Sequence, residues 1–289
     1  MLNFWGHNVP ILFSLQKLVA EGPSAFYTGS VARSIVEALS AVGGLMTLSD
    51  LQAHMNCSEK IIRPSISATY RSTTVHTPGL PCQGAILLRA LNILEEFDIS
   101  GLGSKSAEFQ HLIIEAMRVA LVDGLSTISD PEFSSIDDMI SKDHAKKKRA
   151  PIDINRAMES CATKGLPCLT HSGTVAMAAI DPDGNGCSFL SSIGVPFGCT
   201  IVQEHGFAMQ VSVGARTGCT SCSTRYLCPV LFGKVVCHTW VYAMHIRCAF
   251  SDFSKIQVVL NLVDHELDPQ EAVTRARAKI GSIQTTHPE

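Results

Sequence analysis

No stretch of the sequence strings together the eighteen or so apolar residues that a bilayer-spanning helix needs. The start, MLNFWGHNVPILFSLQKLVA, has neither a basic n-region nor a small-residue cleavage site, so it does not read as a secretory leader. Clustered positive charge is also scarce. With a formal net charge of −3, the chain offers no electrostatic reason to bind nucleic acid or another polyanion, because phosphate recognition needs grouped lysine and arginine. The one basic run, Lys146 to Arg149, is short. Such runs ordinarily lie in solvated loops, and a localisation signal or a protease processing site are the sharper alternatives.

An even cysteine count is lacking too. Eleven cysteines cannot all pair within one chain, so at least one thiol stays free or pairs elsewhere, which points to a reducing, cytoplasmic setting. Five of them fall at Cys219, Cys222, Cys228, Cys237 and Cys248. A zinc site is the sharp reading of Cys219-x-x-Cys222, but no second pair follows at zinc-finger spacing, and neither metal nor cofactor is expected. What is present is apolar substance: 289 residues, 46% hydrophobic and 17% charged, suffice for one large or two small packed domains.

Helical spacing of apolar residues from Pro10 stops at Gly22, as a C-cap demands. A second stripe, Val31, Ile35, Val36 and Leu39, ends at Gly43-Gly44. Thr47 and Asp50 are spaced as a capping box for a short helix. Residues 61–77 turn β-branched and predict one or two strands, closed by the Pro78 to Pro81 turn. Two longer helices follow, one with apolar residues at 86, 87, 90, 91 and 94, the other at 109, 112, 113, 116, 117, 120 and 121. His111 lies within the second, and its plain reading is a helix residue beside the core. From Asp130 to Lys164 the chain is polar and lysine-rich, the segment expected to be most mobile. The runs TVAMAAI and CSFLSSI, split by Asp181 to Gly186, predict a hairpin with both faces covered. Residues 256, 259, 260 and 263 predict a late helix, and Asp268-Pro269 the start of another.

Four blocks in the same order resemble the γ-glutamyltransferase (glutathione hydrolase) family: residues 22–51, 78–98, 106–133 and 173–198, with a weaker fifth at 257–273. Their order over most of the chain is far more specific than any short motif. The resemblance implies an α/β, four-layer αββα sandwich of the N-terminal nucleophile hydrolase type, made as one proenzyme that cuts itself once. In that family a threonine seven residues before the first Asp of a D-x-D/E-G-N turn becomes the new N-terminus and the nucleophile. Counting back seven from Asp181 reaches Thr174, with Gly173 before the cut. Thr170, ahead of His171, is the minor alternative; it lies eleven residues before Asp181, and register in a buried strand is strongly specified. Ser192 matches the position whose hydroxyl orients the nucleophile, although a strand serine bonded to backbone is an equally good account of it. Gln210 matches a substrate-binding position, while Val211 and Ser212 replace the asparagine and charged residue expected next.

The chemistry needs these residue types. An unactivated threonine hydroxyl is a poor nucleophile, and cutting Gly173-Thr174 would free an α-amino group with a pKa of roughly 8 to serve as its base. The resemblance then implies an acyl-enzyme on Thr174 and transfer from a small γ-glutamyl amide such as glutathione to water or an amino acid, without cofactor. Fragments 1–173 and 174–289 would stay associated as one joint domain. Three departures mark the chain as a truncated or diverged member. It starts downstream of an early arginine segment, and it has no Pro/Ser-rich stretch and no Gly-Gly oxyanion pair between Gly214 and Ser254. An oxyanion hole is worth on the order of 10²-fold in rate. A catalytically inactive relative is therefore the main alternative, an oxamate- or glutaryl-type amidohydrolase a further one, and a cysteine-rich metal module the last.

Overall fold

The computed structural model describes residues 9–57, 64–80, 82–128, 134–158, 174–193, 197–210 and 251–276. The fold is mixed α/β. The chain divides into two compact units: Met1–Ile62 with Thr170–Val175 and Ser191–Val230, and Arg63–Leu169 with Ala176–Leu190 and Leu231–Glu289. Each draws chain from both sides of the 173–174 bond.

In the first unit, α1 (Val9–Glu21), α2 (Ser24–Tyr27), α3 (Ser30–Ser40) and α4 (Leu48–Met55) join two short antiparallel strands, β5 (Thr200–Val202) and β6 (Phe207–Met209). The glycines after α1 and α3 act as expected: Gly22 and Gly43 sit at φ +71° and +82°, left-handed values that glycine adopts without a Cβ penalty. The capping box is present. Thr47 Oγ1 accepts from Asp50 N–H, and the Asp50 carboxylate accepts from Thr47 N–H at 2.9 Å. Val31, Ala32, Ile35, Leu51 and Val202 form the core, so β5 seals the face of α3 that the spacing marked.

Helix α1 departs from its pattern. Its only buried side chain is Ser14, while Leu12, Phe13, Leu15 and Val19 are exposed. The hydroxyl of Ser14 is tied into the β5–β6 connection, and those bonds, rather than the apolar stripe, select the inward face.

The second unit is built around α5 (Gly84–Leu94), buried over its whole length. A single apolar stripe had been expected; the helices Ala107–Thr127, Lys142–Arg149 and Ser251–Val263 and the hairpin from Ser65 to Pro78 cover the remaining sides. Strand β1 (Ser65–Tyr70) pairs with β2 (Thr73–Pro78) from Ser65↔Pro78 to Tyr70↔Thr73. Arg71 opens the loop between them at φ 53°, a left-handed value costing a non-glycine residue about 1–2 kcal/mol. Four donations offset that cost: N–H to Glu95 Oε1, Nη1 to Glu95 O and Nη2 to Phe97 O, all at 2.7 Å, and Nε to Asp264 Oδ1 at 3.2 Å.

Helix α6 (Ala107–Thr127) starts at Ser106, whose Oγ accepts from Phe109 N–H at 3.1 Å. Its buried Phe109, Leu112, Ile113, Ala116, Met117 and Ala120 meet α5, and Ile256 and Leu260 of α8 (Ser251–Val263) join the same core. Asp268 caps α9 (Pro269–Thr274) by accepting from Gln270 and Glu271 N–H. Between α6 and the hairpin, the lysine-rich stretch expected to be mobile contains a helix, α7 (Lys142–Arg149), capped by Ser141. That correction has an electrostatic cause, described below.

Strands β3 (Thr174–Ile180) and β4 (Gly186–Ser192) form the anticipated hairpin, drawing on both units. Its expected full coverage is not seen in the described residues: Met177 is 62% and Ile180 56% exposed.

Helix α6 packs tightly on α5 at Gly124, where a Cβ would come 2.5 Å from Cγ1 of the fully buried Ile86. Gly124→Ala gains about 1 kcal/mol of helix propensity but should lose about 1–3 kcal/mol to overpacking. A lower denaturation midpoint than wild type is expected in urea; a higher one would show that Ile86 has room to move.

Candidate active site

The residues singled out by the motif lie on one hairpin. Its turn is built by the side chains that the D-P-D-G-N spelling supplies. Asp181 N–H donates to Asn185 O and Gly184 N–H to Asp181 O, each at 3.0 Å. The Asp181 carboxylate accepts from Asn185 N–H and Nδ2, each at 2.7 Å, and Gly184 takes φ +79°. A connection this short forces the strands antiparallel. Thr174, the first residue of β3, and Ser192, the last of β4, therefore sit at the hairpin's open end, opposite the turn. Gly173, Thr170, Val211, Ser212 and the five cysteines from Cys219 to Cys248 lie outside the described residues. Gln210 follows β6 and is half-buried, its carbonyl accepting from Cys199 Sγ at 3.5 Å.

A Ser–His pair that the sequence reading did not find joins Ser14 to His205, with Oγ 2.9 Å from Nδ1. Ser14 Oγ also lies 3.1 Å from Pro10 O and 3.2 Å from His205 O, both acceptors only. A hydroxyl has one proton to donate. With two carbonyls competing for it, the arrangement fits Nδ1–H donating to Oγ, which makes Ser14 a structural tie rather than a nucleophile awaiting a base. Ser34 Oγ adds a second link, donating to Glu204 at 2.9 Å. Positions 14 and 205 carry no signature relating them, so only the folded chain reveals the pair. His111 keeps its plain reading: Nε2 is 2.8 Å from the Asp153 carbonyl oxygen.

Two polar networks sit in the second unit. Asp264 is almost fully buried and accepts from Tyr70 Oη at 2.7 Å and Arg71 Nε at 3.2 Å. Burial, then the bond to and charge of Asp264, push the Tyr70 hydroxyl far above its ordinary pKa, so it stays a donor. In the other network Asp123 of α6 pairs with the buried Arg89 of α5, with Lys148 at 2.9 Å and with His144 at 3.5 Å. Arg89 Nη1 donates to Met139 O at 3.3 Å. Burial pulls the Arg89 guanidinium below its ordinary pKa and the charge of Asp123 opposes that shift. Among the described residues no group of three His, Cys, Asp or Glu side chains is placed to hold a metal ion, and no helix is long and apolar enough to cross a membrane.

Residues 11–215 match the model of the gamma-glutamyltranspeptidase family. The chain belongs to that family. The match stops just short of Cys219, the first of the five cysteines up to Cys248. The chain is 28% identical over 284 residues to the Acylase ACY 1 proenzyme of a Pseudomonas species, covering 91% of this chain and 48% of that protein. It is 31% identical over 194 residues to the glutathione hydrolase proenzyme of Escherichia coli, covering 65% of this chain and 33% of that one. Among solved structures, Helicobacter pylori gamma-glutamyltranspeptidase aligns with a TM-score of 0.42 and 28% identity, over 49% of this chain and 40% of that one. This gamma-glutamyltranspeptidase family chain thus spans about half the length of the acylase and about a third of the hydrolase.

His265 gives the second unit a pH dependence. Its ring packs edge-on against Phe109 at 4.9 Å and its Nε2 is buried without a partner. Burial lowers its pKa, with Asp264 opposing and Arg275 reinforcing the shift. A base whose folded pKa is depressed binds fewer protons folded than unfolded, so stability is retained above the ordinary value near 6.5 and falls as pH drops below it. Between about pH 7.5 and 5.5 the melting temperature should fall further for wild type than for His265→Leu. Equal slopes would sink the assignment.

Proposed function

We propose that this chain carries the processing and nucleophile segment of a γ-glutamyltransferase-type amidohydrolase, with Thr174 the nucleophile freed by cleavage after Gly173. One observation carries the reading: within the family match, Thr174 opens β3 and the Asp181–Asn185 turn closes the same hairpin at the spacing the motif demands. The four-layer αββα sandwich belongs to this reading, as does Ser192 steadying the Thr174 hydroxyl from the neighbouring strand end.

The chemistry follows from position. The Thr174 hydroxyl adds to the carbonyl carbon of Gly173, the C–N bond breaks, and water opens the resulting ester, leaving a free α-amine beside the hydroxyl. That amine then takes the hydroxyl proton as the Thr174 oxygen attacks a small amide; the amide C–N bond breaks, and the released amine leaves with that proton while its acyl group stays on Thr174. Water or an amino acid accepts the acyl group. Gln210 is the residue proposed to contact the substrate, and a γ-glutamyl amide is the substrate class favoured by the family. An acylase-type amide such as a glutaryl group is the second, because the acylase matches 91% of this chain against 65% for the hydrolase.

The folded contacts support survival of the cut chain. Ser14 and Ser34 hold His205 and Glu204, Val202 packs with Val31 and Ile35, and Tyr70 and Arg71 hold Asp264. Every one of these joins residues before 173 to residues after 174. An inactive relative is the competing reading, favoured by the end of the family match at residue 215.

On a denaturing gel the purified protein should run as two fragments, the smaller beginning at Thr174, while native gel filtration shows one species. Thr174→Ala should leave a single folded chain, with cutting slowed by at least about 10³-fold, and Thr170→Ala should cut normally. Wild-type protein that is folded yet intact, or a new N-terminus elsewhere, would overturn the reading. Cut protein that releases nothing from γ-glutamyl or glutaryl anilides would leave processing standing and establish the inactive relative.

A further inference from the structure

The run Lys146 to Arg149 remains unexplained by the proposed chemistry, and the structure gives it an unusual setting. As free chain it would be an open target for any endoprotease that cuts after basic residues. Instead it is the last turn of α7, a helix that buries only Ala145 of its own residues. Apolar burial within the helix therefore contributes little to holding it.

Charge supplies the rest, along the length of the helix. Lys142 Nζ donates to Thr69 O at 2.5 Å and Asn92 Oδ1 at 2.6 Å and pairs with Glu95. His144 and Lys148 face Asp123, which also pairs with the buried Arg89. Arg149 lies 3.8 Å from Glu96, and its guanidinium stacks over Phe97 at 4.9 Å. Lys146 and Lys147 are exposed, while Lys148 and Arg149 are half-buried. Met139 and Ile152 are buried on either side, so the helix is pinned at both ends and clamped between by ion pairs.

We propose that Lys146 to Arg149 is a guarded processing site for a basic-residue endoprotease, closed while α7 is docked on Glu95, Glu96 and Asp123 and opened when those pairs are broken. A protease must draw several residues into extended form across its cleft, which a docked helix forbids until it opens locally. When opening is fast, the cutting rate tracks the open population. The Lys142 and Lys148 side chains are 50% and 42% exposed, so added salt screens their pairs and raises that population. The cut itself is ordinary hydrolysis: the protease, supplied in trans, adds water across one of these peptide bonds, leaving a new carboxylate and a new amine.

Trypsin is the probe, and Lys105, exposed in the turn before α6, is the internal reference. Mass spectrometry of early time points on the full chain should show Lys105 cut before the run of four in low salt. Raising NaCl from about 0.05 M to about 1 M should increase cutting at 146–149 relative to Lys105 several-fold, the reference cancelling any effect of salt on trypsin itself. Asp123→Asn should increase the same ratio on the order of tenfold at low salt. Because that variant leaves Arg89 buried with a weaker partner, Glu95→Gln with Glu96→Gln serves as the milder test. Global unfolding would betray itself by raising both rates together. The proposal is overturned if wild type is cut at 146–149 as fast as at Lys105 in low salt, or if salt and the Glu95→Gln, Glu96→Gln variant leave the ratio unchanged. The bond read is not Gly173-Thr174, so the outcome is independent of the proposed nucleophile.

Discussion

Helix α5 is the constraint on which the second unit depends. A helix with no exposed side needs a partner for every face, and this one carries two polar residues, Arg89 and Asn92, into that enclosure. A buried guanidinium without a counter-charge costs several kcal/mol, so the position of Arg89 dictates that Asp123 of α6 face it. Asn92 in turn donates to Ile140 O at 2.7 Å and accepts from Lys142. These two side chains thereby decide where the chain entering α7 must run. The close contact at Gly124 follows from the same enclosure, since covering α5 tightly leaves no room for a side chain there.

From this come the two characters of the unit. Around α5, α6 and α8 the contacts are buried and, apart from polar residues such as Arg89 and Asp123, mostly apolar, and such packing yields only to global unfolding. At α7 the contacts are ionic and half-solvated, individually worth little and sensitive to salt. A segment held in this way is ordered yet easily released. Order and charge therefore coexist in a stretch whose composition reads as loop.

The candidate site shows a similar division. The Asp181–Asn185 turn is local, made by residues a few positions apart, and it places Thr174 and Ser192 at one end of a hairpin. The contacts that join chain before Gly173 to chain after it are long-range: Asp264 reaches back to the β1–β2 loop, and β5 packs under α3. The family match over residues 11–215 includes both the Asp181–Asn185 turn and the strand that Thr174 opens, and the proposed nucleophile rests on these two observations.

Much of this was legible from one-dimensional signals, wherever the physics is local. The Thr47–Asp50 capping box, the glycine stops at Gly22 and Gly43, the Asp268-Pro269 helix start and the D-P-D-G-N turn are all set by neighbours within a few residues, and each was readable before any fold was known. The proposed nucleophile, Thr174, was singled out from the same kind of local signal, its spacing to Asp181 along the chain. Tertiary structure alone decided the rest. It turned α1 so that Ser14 rather than Phe13 faces inward, buried Arg89 inside a helix that looked amphipathic, and ordered a lysine-rich stretch as α7. In each case the deciding partner, His205, Asp123 or Glu95, is distant in sequence or on another element, and its energy exists only once the chain has folded to bring the two together.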